Sequence, residues 1–158
     1  MSASELKVEL GRRYRFAASH RLHRADLSDA ENMQLYGKCN NPYGHGHNYV
    51  LEVSWAGDID PQTGMIANLA DLDAFVDHEV LQVFDQVSLN EDVSEFANIV
   101  PTTENVCMDI FRRLQSFPGA KLKRVRVEET SNNSFEYTGD GTIDEPEPVE
   151  VLPGGATL

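Results

Sequence analysis

The strongest constraint on the fold comes from residues 45–56, where large side chains alternate regularly with small or polar ones. In an extended strand, successive side chains point to opposite faces, so alternate residues share one face of a sheet. One face of this strand carries His45, His47, Tyr49, Leu51, Val53 and Trp55. Since a half-apolar strand must bury that face against a second layer, the segment predicts a sheet covered by other elements.

Five further segments supply the rest of that architecture. Residues 6–19 alternate with interruptions and predict a strand or a bent pair of strands, and 122–130 and 134–139 predict a hairpin. Residues 68–85 and 101–117 repeat apolar side chains at helical spacing, with Asn68 and Thr102 or Thr103 as N-caps. The order of elements predicts an α+β fold in which two helices cover one face of an antiparallel sheet.

Length and charge narrow the class of protein. The chain has 158 residues, which suits one domain over residues 1–140, followed by an acidic, Gly- and Pro-rich tail at 141–158 that we expect to be flexible. A net charge of −13 argues against nucleic-acid binding. The apolar runs are too short to span a bilayer and the N-terminus lacks a signal-peptide core, so we expect no membrane contact and a cytoplasmic location.

The pair His45 and His47 indicates a metal site. Residues two apart in a strand point the same way, so both imidazoles reach one point, and neutral imidazole suits Zn²⁺. His20, which follows a strand-like run, is the best candidate for a third ligand. Three histidines leave one position open, as in catalytic zinc sites, whereas a structural site needs a fourth protein ligand. The alternative is a chance pair of histidines on a sheet surface.

Two other residues stand out by their surroundings. Cys39 lies in a polar loop beside Lys38, where it is a metal ligand, a nucleophile or base with a lowered pKa, or a free thiol without a role. Glu129 shares a strand face with Val125 and Val127, and a buried carboxylate needs a partner. A ligand with adjacent N–H donors satisfies that need; the alternative is a strand-end carboxylate that reaches solvent.

Several motifs in a common order resemble the 6-pyruvoyltetrahydropterin synthase family: FAASHRL, YGKCNNPYGHGHNY, DPQTGMIANLADL, PTTENV and VEETSNN. The resemblance runs from about Tyr14 to Gly139. The spacing of five residues between Cys39 and the HGH motif is similar to the pyruvoyltetrahydropterin branch, which serves tetrahydrobiopterin biosynthesis. The resemblance implies the tunnelling fold, whose subunits associate into a β-barrel, usually as a homohexamer with active sites between subunits.

The resemblance also implies roles for particular residues. His20, His45 and His47 match the zinc ligands, Cys39 the catalytic base, Glu129 the carboxylate that anchors the pterin, and Thr102, Thr103 and Glu104 the lining of its pocket. The family's Asp-His step falls on Asp85 and Gln86, so an amide replaces the imidazole. Gln86 can orient a group by hydrogen bonding, but it cannot exchange a proton near neutral pH.

The activity that follows from this resemblance is that of a zinc-dependent carbon–oxygen lyase. It acts on 7,8-dihydroneopterin triphosphate by eliminating triphosphate with an internal redox shift. Arg15, Arg21 and Lys38 are candidates for holding the phosphates. Two other functions stay open: a 6-carboxytetrahydropterin synthase or side-chain-cleaving paralogue, and a pterin-binding protein whose catalysis is weakened by Gln86.

Overall fold

The structure, a computed structural model, describes residues 7–139, so the prediction of a flexible tail at 141–158 lies outside the described residues. Five strands are present: β1 (Lys7–His20), β2 (His45–Asp58), β3 (Val87–Ser88), β4 (Lys121–Thr130) and β5 (Asn133–Tyr137). Five α-helical segments accompany them: α1 (Asp29–Tyr36), α2 (Leu69–Val76), α3 (Gln82–Phe84), α4 (Leu89–Asp92) and α5 (Thr103–Leu114). None of these helices has the length and hydropathy of a membrane span.

The strands form one sheet in the order β3-β1-β2-β4-β5. The long neighbours pair antiparallel, as predicted, and β1 is one continuous strand. The two-residue strand β3 pairs parallel to the end of β1, so the otherwise antiparallel sheet is mixed at that edge. The difference arises because the chain leaving α3 meets β1 at Ala17, where the Gln86 N–H donates to the Ala17 carbonyl.

The two predicted helices lie over the inner face of the sheet and close the core. Asn68 caps α2 by accepting hydrogen bonds from the backbone N–H groups of Ala70 and Asp71, and Thr102 caps α5. The helix predicted over 68–85 contains a π-helical turn at Asp77–Leu81 between α2 and α3. The sheet contributes Tyr49, Leu51, Val53 and Trp55 to the core, and none of them is exposed.

Both edges of the sheet lack a strand partner within residues 7–139. On one side, β3 covers only Ala18 and Ser19, which leaves the earlier part of β1 paired on its β2 side alone. On the other side, β5 pairs only with β4. Unpaired edges present free N–H and C=O groups that favour pairing with another chain.

Candidate metal and pterin site

The register between β1 and β2 brings the three histidines together. His20 pairs directly with His45 at the end of the ladder, and His47 follows two residues later on the same face. Side chains directly opposite each other on paired strands lie about 5 Å apart at Cβ. Gly44 permits this tight junction, because a Cβ atom at that position would lie 2.9 Å from the His20 carbonyl oxygen. Residues 25 positions apart therefore converge on one point.

The spacing of the ring nitrogens fits a metal ion with nitrogen ligands. The Nε2 atoms of His20 and His45 lie 3.1 Å apart, and those of His45 and His47 lie 3.2 Å apart. Zinc bonds of about 2.0–2.1 Å in tetrahedral geometry separate two ligand nitrogens by about 3.3–3.4 Å. Ligand atoms of all three residues lie within 4.8 Å of one another. The three histidines that the sequence predicts as ligands therefore lie together and could hold a metal ion.

The second nitrogen of His20 fixes the orientation of its ring. Its Nδ1 atom lies 2.8 Å from the backbone oxygen of Pro101, which can only accept, so Nδ1 carries the proton and Nε2 keeps its lone pair. A ligating histidine commonly donates its other N–H to a carbonyl in this way. Burial, opposed by the bond to Pro101 and aided by His47, lowers the pKa of His20. Burial likewise lowers the pKa of His47, so the protein favours the neutral rings that a metal requires.

Glu129 lies beside the histidines on the same face, as its alternation with Val125 and Val127 predicts. Its Oε1 atom is 3.3 Å from His47 Nε2 and 3.6 Å from His20 Nε2, and its side chain is only 13% exposed. The Asn133 side chain donates to Oε2 at 2.8 Å. The Glu129 carboxylate therefore has partners within the chain and does not depend on solvent alone. The same position makes Glu129 the residue that could close the metal site as a fourth ligand.

Cys39 lies near Glu129 but is not part of the histidine set. It is half-buried in the 3₁₀ turn Gly37–Asn40, and its backbone oxygen accepts from the Leu22 N–H at 2.8 Å, which ties this turn to the end of β1. Burial and the charge of Glu129 raise the pKa of the Cys39 thiol. The predicted lowering by Lys38 is not seen, since the Lys38 side chain is exposed and is not a cause of the shift.

The three residues of the segment Thr102–Glu104 lie in different environments at the start of α5. Thr102 caps α5 through a 3.3 Å bond from the Asn105 N–H, and Glu104 is exposed on the first turn of that helix. Thr103 alone is buried, at 3% exposure, and it lies next to Tyr49 on the site side of the sheet. The roles of Thr102, Thr103 and Glu104 in lining the pocket stay predictions.

Comparison with known proteins agrees with this geometry. The sequence profile described as 6-pyruvoyl tetrahydropterin synthase matches residues 9–140, which is most of the chain. The chain belongs to the 6-pyruvoyl tetrahydropterin synthase family. This confirms the family resemblance that the motifs predict. The matched range includes the three histidines, Cys39 and Glu129.

Individual relatives support the same assignment. The human 6-pyruvoyl tetrahydrobiopterin synthase is 48% identical over 85% of this chain and 93% of its own. The structure of the Caenorhabditis elegans 6-pyruvoyl tetrahydropterin synthase is 44% identical, covers 84% of this chain and 96% of its own, and superposes with a TM-score of 0.79. A 6-carboxy-5,6,7,8-tetrahydropterin synthase from Haemophilus influenzae is 29% identical over 64% of this chain and 84% of its own. The mixed α+β tunnelling fold is thereby confirmed.

Asp85 and Gln86 do not join the cluster of their own chain. The Asp85 Oδ1 atom accepts from the Ala17 N–H at 2.8 Å, and Gln86 lines a cavity whose wall also includes Ala17, Ser19, Asn48 and His47. Ser19 and Asn48 alternate with His20 and His47 along their strands, whereas His47 itself belongs to the wall of this cavity. Within residues 7–139, neither side chain hydrogen-bonds to Cys39 or to a histidine of the cluster. Gln86 also has a φ of +61°, which is unusual outside glycine.

Two residues of the site, Pro101 and Tyr49, could not be identified as site residues from the sequence pattern. Pro101 acts through its backbone oxygen, which any residue possesses, so no pattern of side chains could identify it. Tyr49 is buried on the histidine face, where its ring stacks on Phe16 and meets the edge of His47. Its position two residues after His47 on the same face was the one available signal.

Proposed function

We propose that this chain is a zinc-dependent carbon–oxygen lyase that converts 7,8-dihydroneopterin triphosphate into 6-pyruvoyltetrahydropterin. The observation that carries the proposal is the side-by-side placement of the histidine cluster and Glu129, whose Oε1 atom lies 3.3 Å from His47 Nε2. A pterin substrate needs both features, because its ring presents N–H donors and its side chain presents hydroxyl groups. The names of the human and nematode relatives support this class of substrate.

Different residues of the site act on the ring of the substrate and on its side chain. Zinc, when bound by His20, His45 and His47, would supply a Lewis acid that acidifies neighbouring C–H and O–H groups. Glu129 holds the ring by accepting hydrogen bonds from its amino and ring N–H groups. Cys39 takes and returns protons at the side chain, a role that is supported by its half-buried position near Glu129.

The reaction balances without an external oxidant. The bond between the terminal side-chain carbon and the phosphate oxygen breaks, and triphosphate leaves with the electron pair. Two hydroxyl-bearing carbons of the side chain become carbonyl carbons, and the ring is reduced from the dihydro to the tetrahydro level. Of the four hydrogens lost from the two carbinol groups, two reappear on the ring, one on the terminal carbon, and one leaves as a proton with the triphosphate, so the chain has only to move protons.

Gln86 limits how those protons move. Because neither Asp85 nor Gln86 hydrogen-bonds to Cys39 or to a histidine of its own chain within residues 7–139, we propose that they face the site of a neighbouring subunit. An amide there orients a thiol or a water but transfers no proton. Positioned proton transfer is typically worth about 10²–10⁴ in rate, so turnover slower than in a protein with histidine at this position is expected. This observation also favours the second candidate, a pterin-binding protein with weakened catalysis.

The assembly we propose is a homohexamer of two barrel-forming trimers. It is supported by the two open sheet edges, the long edge of β1 and the short edge of β5, which can pair between copies and extend the sheet. Closure of such a sheet into a barrel removes the exposed edges. Measurement of the molar mass in solution tests this assembly, and a stable monomer would contradict it.

Product analysis tests the proposed reaction. Zinc-loaded protein is incubated with 7,8-dihydroneopterin triphosphate, and the products are identified by mass. A pterin that keeps all three side-chain carbons, together with free triphosphate, is expected. A product that keeps one side-chain carbon would assign the chain to the 6-carboxytetrahydropterin reaction, and tight pterin binding without any product would favour the binding protein.

A further inference from the structure

The segment that follows His20 has neither helical nor strand structure at residues 21–24. Backbone N–H and C=O groups outside helices and strands need other partners, because a buried group without one costs free energy. Asparagine side chains from three other parts of the chain bond to the backbone of this segment: Asn32, Asn40 and Asn90. The segment is therefore held by side chains that are distant in sequence.

Asn90, in helix α4, bonds to both backbone groups of Arg21. Its Oδ1 atom accepts from the Arg21 N–H at 2.7 Å, and its Nδ2 atom donates to the Arg21 carbonyl at 2.9 Å. The primary amide of asparagine carries an acceptor and a donor, so one side chain can take the place of a strand neighbour. The pairing of β1 with β2 ends at His20 and His45, and Asn90 fixes the backbone one residue beyond that end.

Asn40 bonds to the next residue of the segment and is adjacent to Cys39 in sequence. Its Nδ2 atom donates to the Leu22 carbonyl at 2.8 Å and to His23 Nδ1 at 2.9 Å. The Leu22 N–H donates to the Cys39 carbonyl at 2.8 Å, so both backbone groups of Leu22 are bound to the turn that carries the thiol. Since Asn40 is only 5% exposed, water competes little for these bonds.

These contacts matter more for Cys39 than for the metal ligand beside them. His20 is held independently, by its pairing in the β1–β2 ladder and by the bond from Nδ1 to the Pro101 carbonyl. Cys39 is a free thiol, and its sulfur has no hydrogen-bond partner in the part of the chain that the structure describes. Its position therefore depends on the backbone of its turn, which the Arg21 Nε atom also contacts by donating to the Asn40 carbonyl at 3.2 Å.

We propose that Asn40 and Asn90 are positioning residues for the Cys39 thiol. Asn90 fixes the backbone of Arg21 at the end of β1, and Asn40 fastens the turn of Cys39 to the next residue, Leu22. The thiol thereby keeps one position relative to the metal site. The inference rests on the proposed function, because it takes Cys39 as the group that moves protons. Proton transfer requires hydrogen-bond reach between the two heavy atoms, so a small displacement of the sulfur slows it.

Asn40→Ala and Asn90→Ala test the proposal through turnover and zinc content. Each change should lower kcat for triphosphate release by about ten- to hundredfold, because the thiol is no longer held in place. KM and the zinc content should stay unchanged, since the metal ligands keep their own supports. Asn90→Asp keeps the acceptor and loses the donor, so its kcat should fall between those of the original protein and Asn90→Ala. This variant retains the size of the side chain if Asn90→Ala fails to fold.

Alkylation of the thiols gives a readout that does not depend on turnover. The zinc-loaded proteins are treated with iodoacetamide, and the modified peptides are quantified by mass. Cys39 should react about fivefold faster in Asn40→Ala and Asn90→Ala, the effect of one lost hydrogen bond on local opening. Cys107 is 1% exposed and reports global unfolding, so its rate should not change. A thiol that is more reactive in a slower enzyme indicates lost positioning.

Asn32→Ala is the matched control. Asn32 has no exposed surface, and it accepts from the Arg24 N–H at 2.8 Å and donates to the Arg24 carbonyl at 2.9 Å. It therefore holds the same segment in the same way as Asn90, but at Arg24 instead of Arg21. Among the described residues, its side chain forms no hydrogen bond with the turn of Cys39. Its loss should lower the melting temperature and leave kcat and the alkylation of Cys39 unchanged.

The possible outcomes distinguish this inference from the function on which it rests. Unchanged kcat in Asn40→Ala and Asn90→Ala, or an equal loss in Asn32→Ala, would overturn the positioning role. Loss of zinc from either variant would also overturn it, because the bonds would then support the metal ligands. An original protein that releases no triphosphate, with Cys39 alkylated faster in both variants, would reject the proposed function and keep the hold on the thiol. Equal alkylation rates in all variants would overturn that hold.

Discussion

The Nδ1 atom of His20 lies 2.8 Å from the backbone oxygen of Pro101, the residue before the N-cap of α5. This contact joins the end of β1 to the start of the helix that covers the sheet. It also sets the tautomer of His20, since the carbonyl requires a proton on Nδ1 and leaves Nε2 free to ligate. The fold therefore prepares one ligand of the cluster through a backbone atom and the other two through strand alternation.

Metal binding should depend on the HGH pair. We expect about one Zn²⁺ per chain in the protein, and loss of tight binding in a His45→Ala, His47→Ala double variant, because one imidazole cannot retain the ion alone. Metal analysis after dialysis measures the content. His78→Ala is the control, since its side chain is 76% exposed and distant from the cluster in the described fold. Full zinc occupancy in the double variant would disprove the assignment.

The Glu129→Gln variant distinguishes a zinc site with an open coordination position from a site in which Glu129 is the fourth ligand. If Glu129 anchors the pterin, the variant keeps its zinc and loses about 1.5–3 kcal/mol of pterin binding, because a charge-assisted pair becomes a neutral one. Glu128→Gln is the matched control, as Glu128 faces the other side of β4 near Arg126. Loss of zinc from Glu129→Gln would instead make the carboxylate a fourth ligand and the zinc structural.

Gln86→His should restore a proton carrier. The backbone there has a φ of +61°, a conformation in which histidine is enriched over most residues, so the exchange is compatible with the turn. Asp85, which already contacts β1 at Ala17, is in place to orient the new ring. We expect turnover to rise by about tenfold or more, measured as the rate of triphosphate release. Cys39→Ser should lose most activity in both backgrounds.

An unchanged or lower rate of triphosphate release in Gln86→His would show that histidine is not needed at this position. If the original protein already turns over quickly, the Asp-His step is dispensable in this chain and a water or another residue moves the proton. Gln86→Gly serves as the control for the backbone, because glycine relieves the left-handed strain, on the order of 1 kcal/mol, without supplying an imidazole. A rate increase in Gln86→Gly equal to that in Gln86→His would rule out proton transfer as the cause.

The ion pair between β1 and α2 should make stability depend on acidic pH. The hydrogen bonds from Arg12 and then Tyr14 lower the pKa of Asp73. Because the folded-state pKa lies below the unfolded value of about 3.9, the stabilisation is present above that pH and is lost as pH falls through the lower value. Melting temperatures of the original protein and Asp73→Asn should therefore converge below about pH 4. An unchanged difference down to pH 2 would contradict this account of Asp73.

Much of the site could be predicted because it depends on strand alternation. The period of two along β2 placed His45 and His47 on one face, and the same period along β4 placed Glu129 with Val125 and Val127. The sequence also marked the ends of the helices, since Asn68 and Thr102 cap their helices through their own side chains. These features follow from local rules that neighbouring residues reveal.

The parts that could not be predicted depend on contacts between distant segments. The direct pairing of His20 with His45 follows from a register that no local pattern fixes, and the parallel pairing of β3 follows from where α3 ends. The π-helical turn at Asp77–Leu81 interrupts the regular helix that the apolar periodicity of 68–85 predicted. The pKa of Cys39 is raised because tertiary packing buries it near Glu129, whereas the neighbour in sequence, Lys38, stays in solvent.

The most direct test of the account is triphosphate release with the metal removed and restored. Protein freed of metal by a chelator is incubated with 7,8-dihydroneopterin triphosphate, then supplied with one equivalent of Zn²⁺, and both the released triphosphate and the pterin product are quantified. The account predicts no release without zinc, and after its addition equal amounts of triphosphate and of a pterin that keeps three side-chain carbons. Release that is independent of the metal, or a zinc-dependent product with a single side-chain carbon, would contradict it.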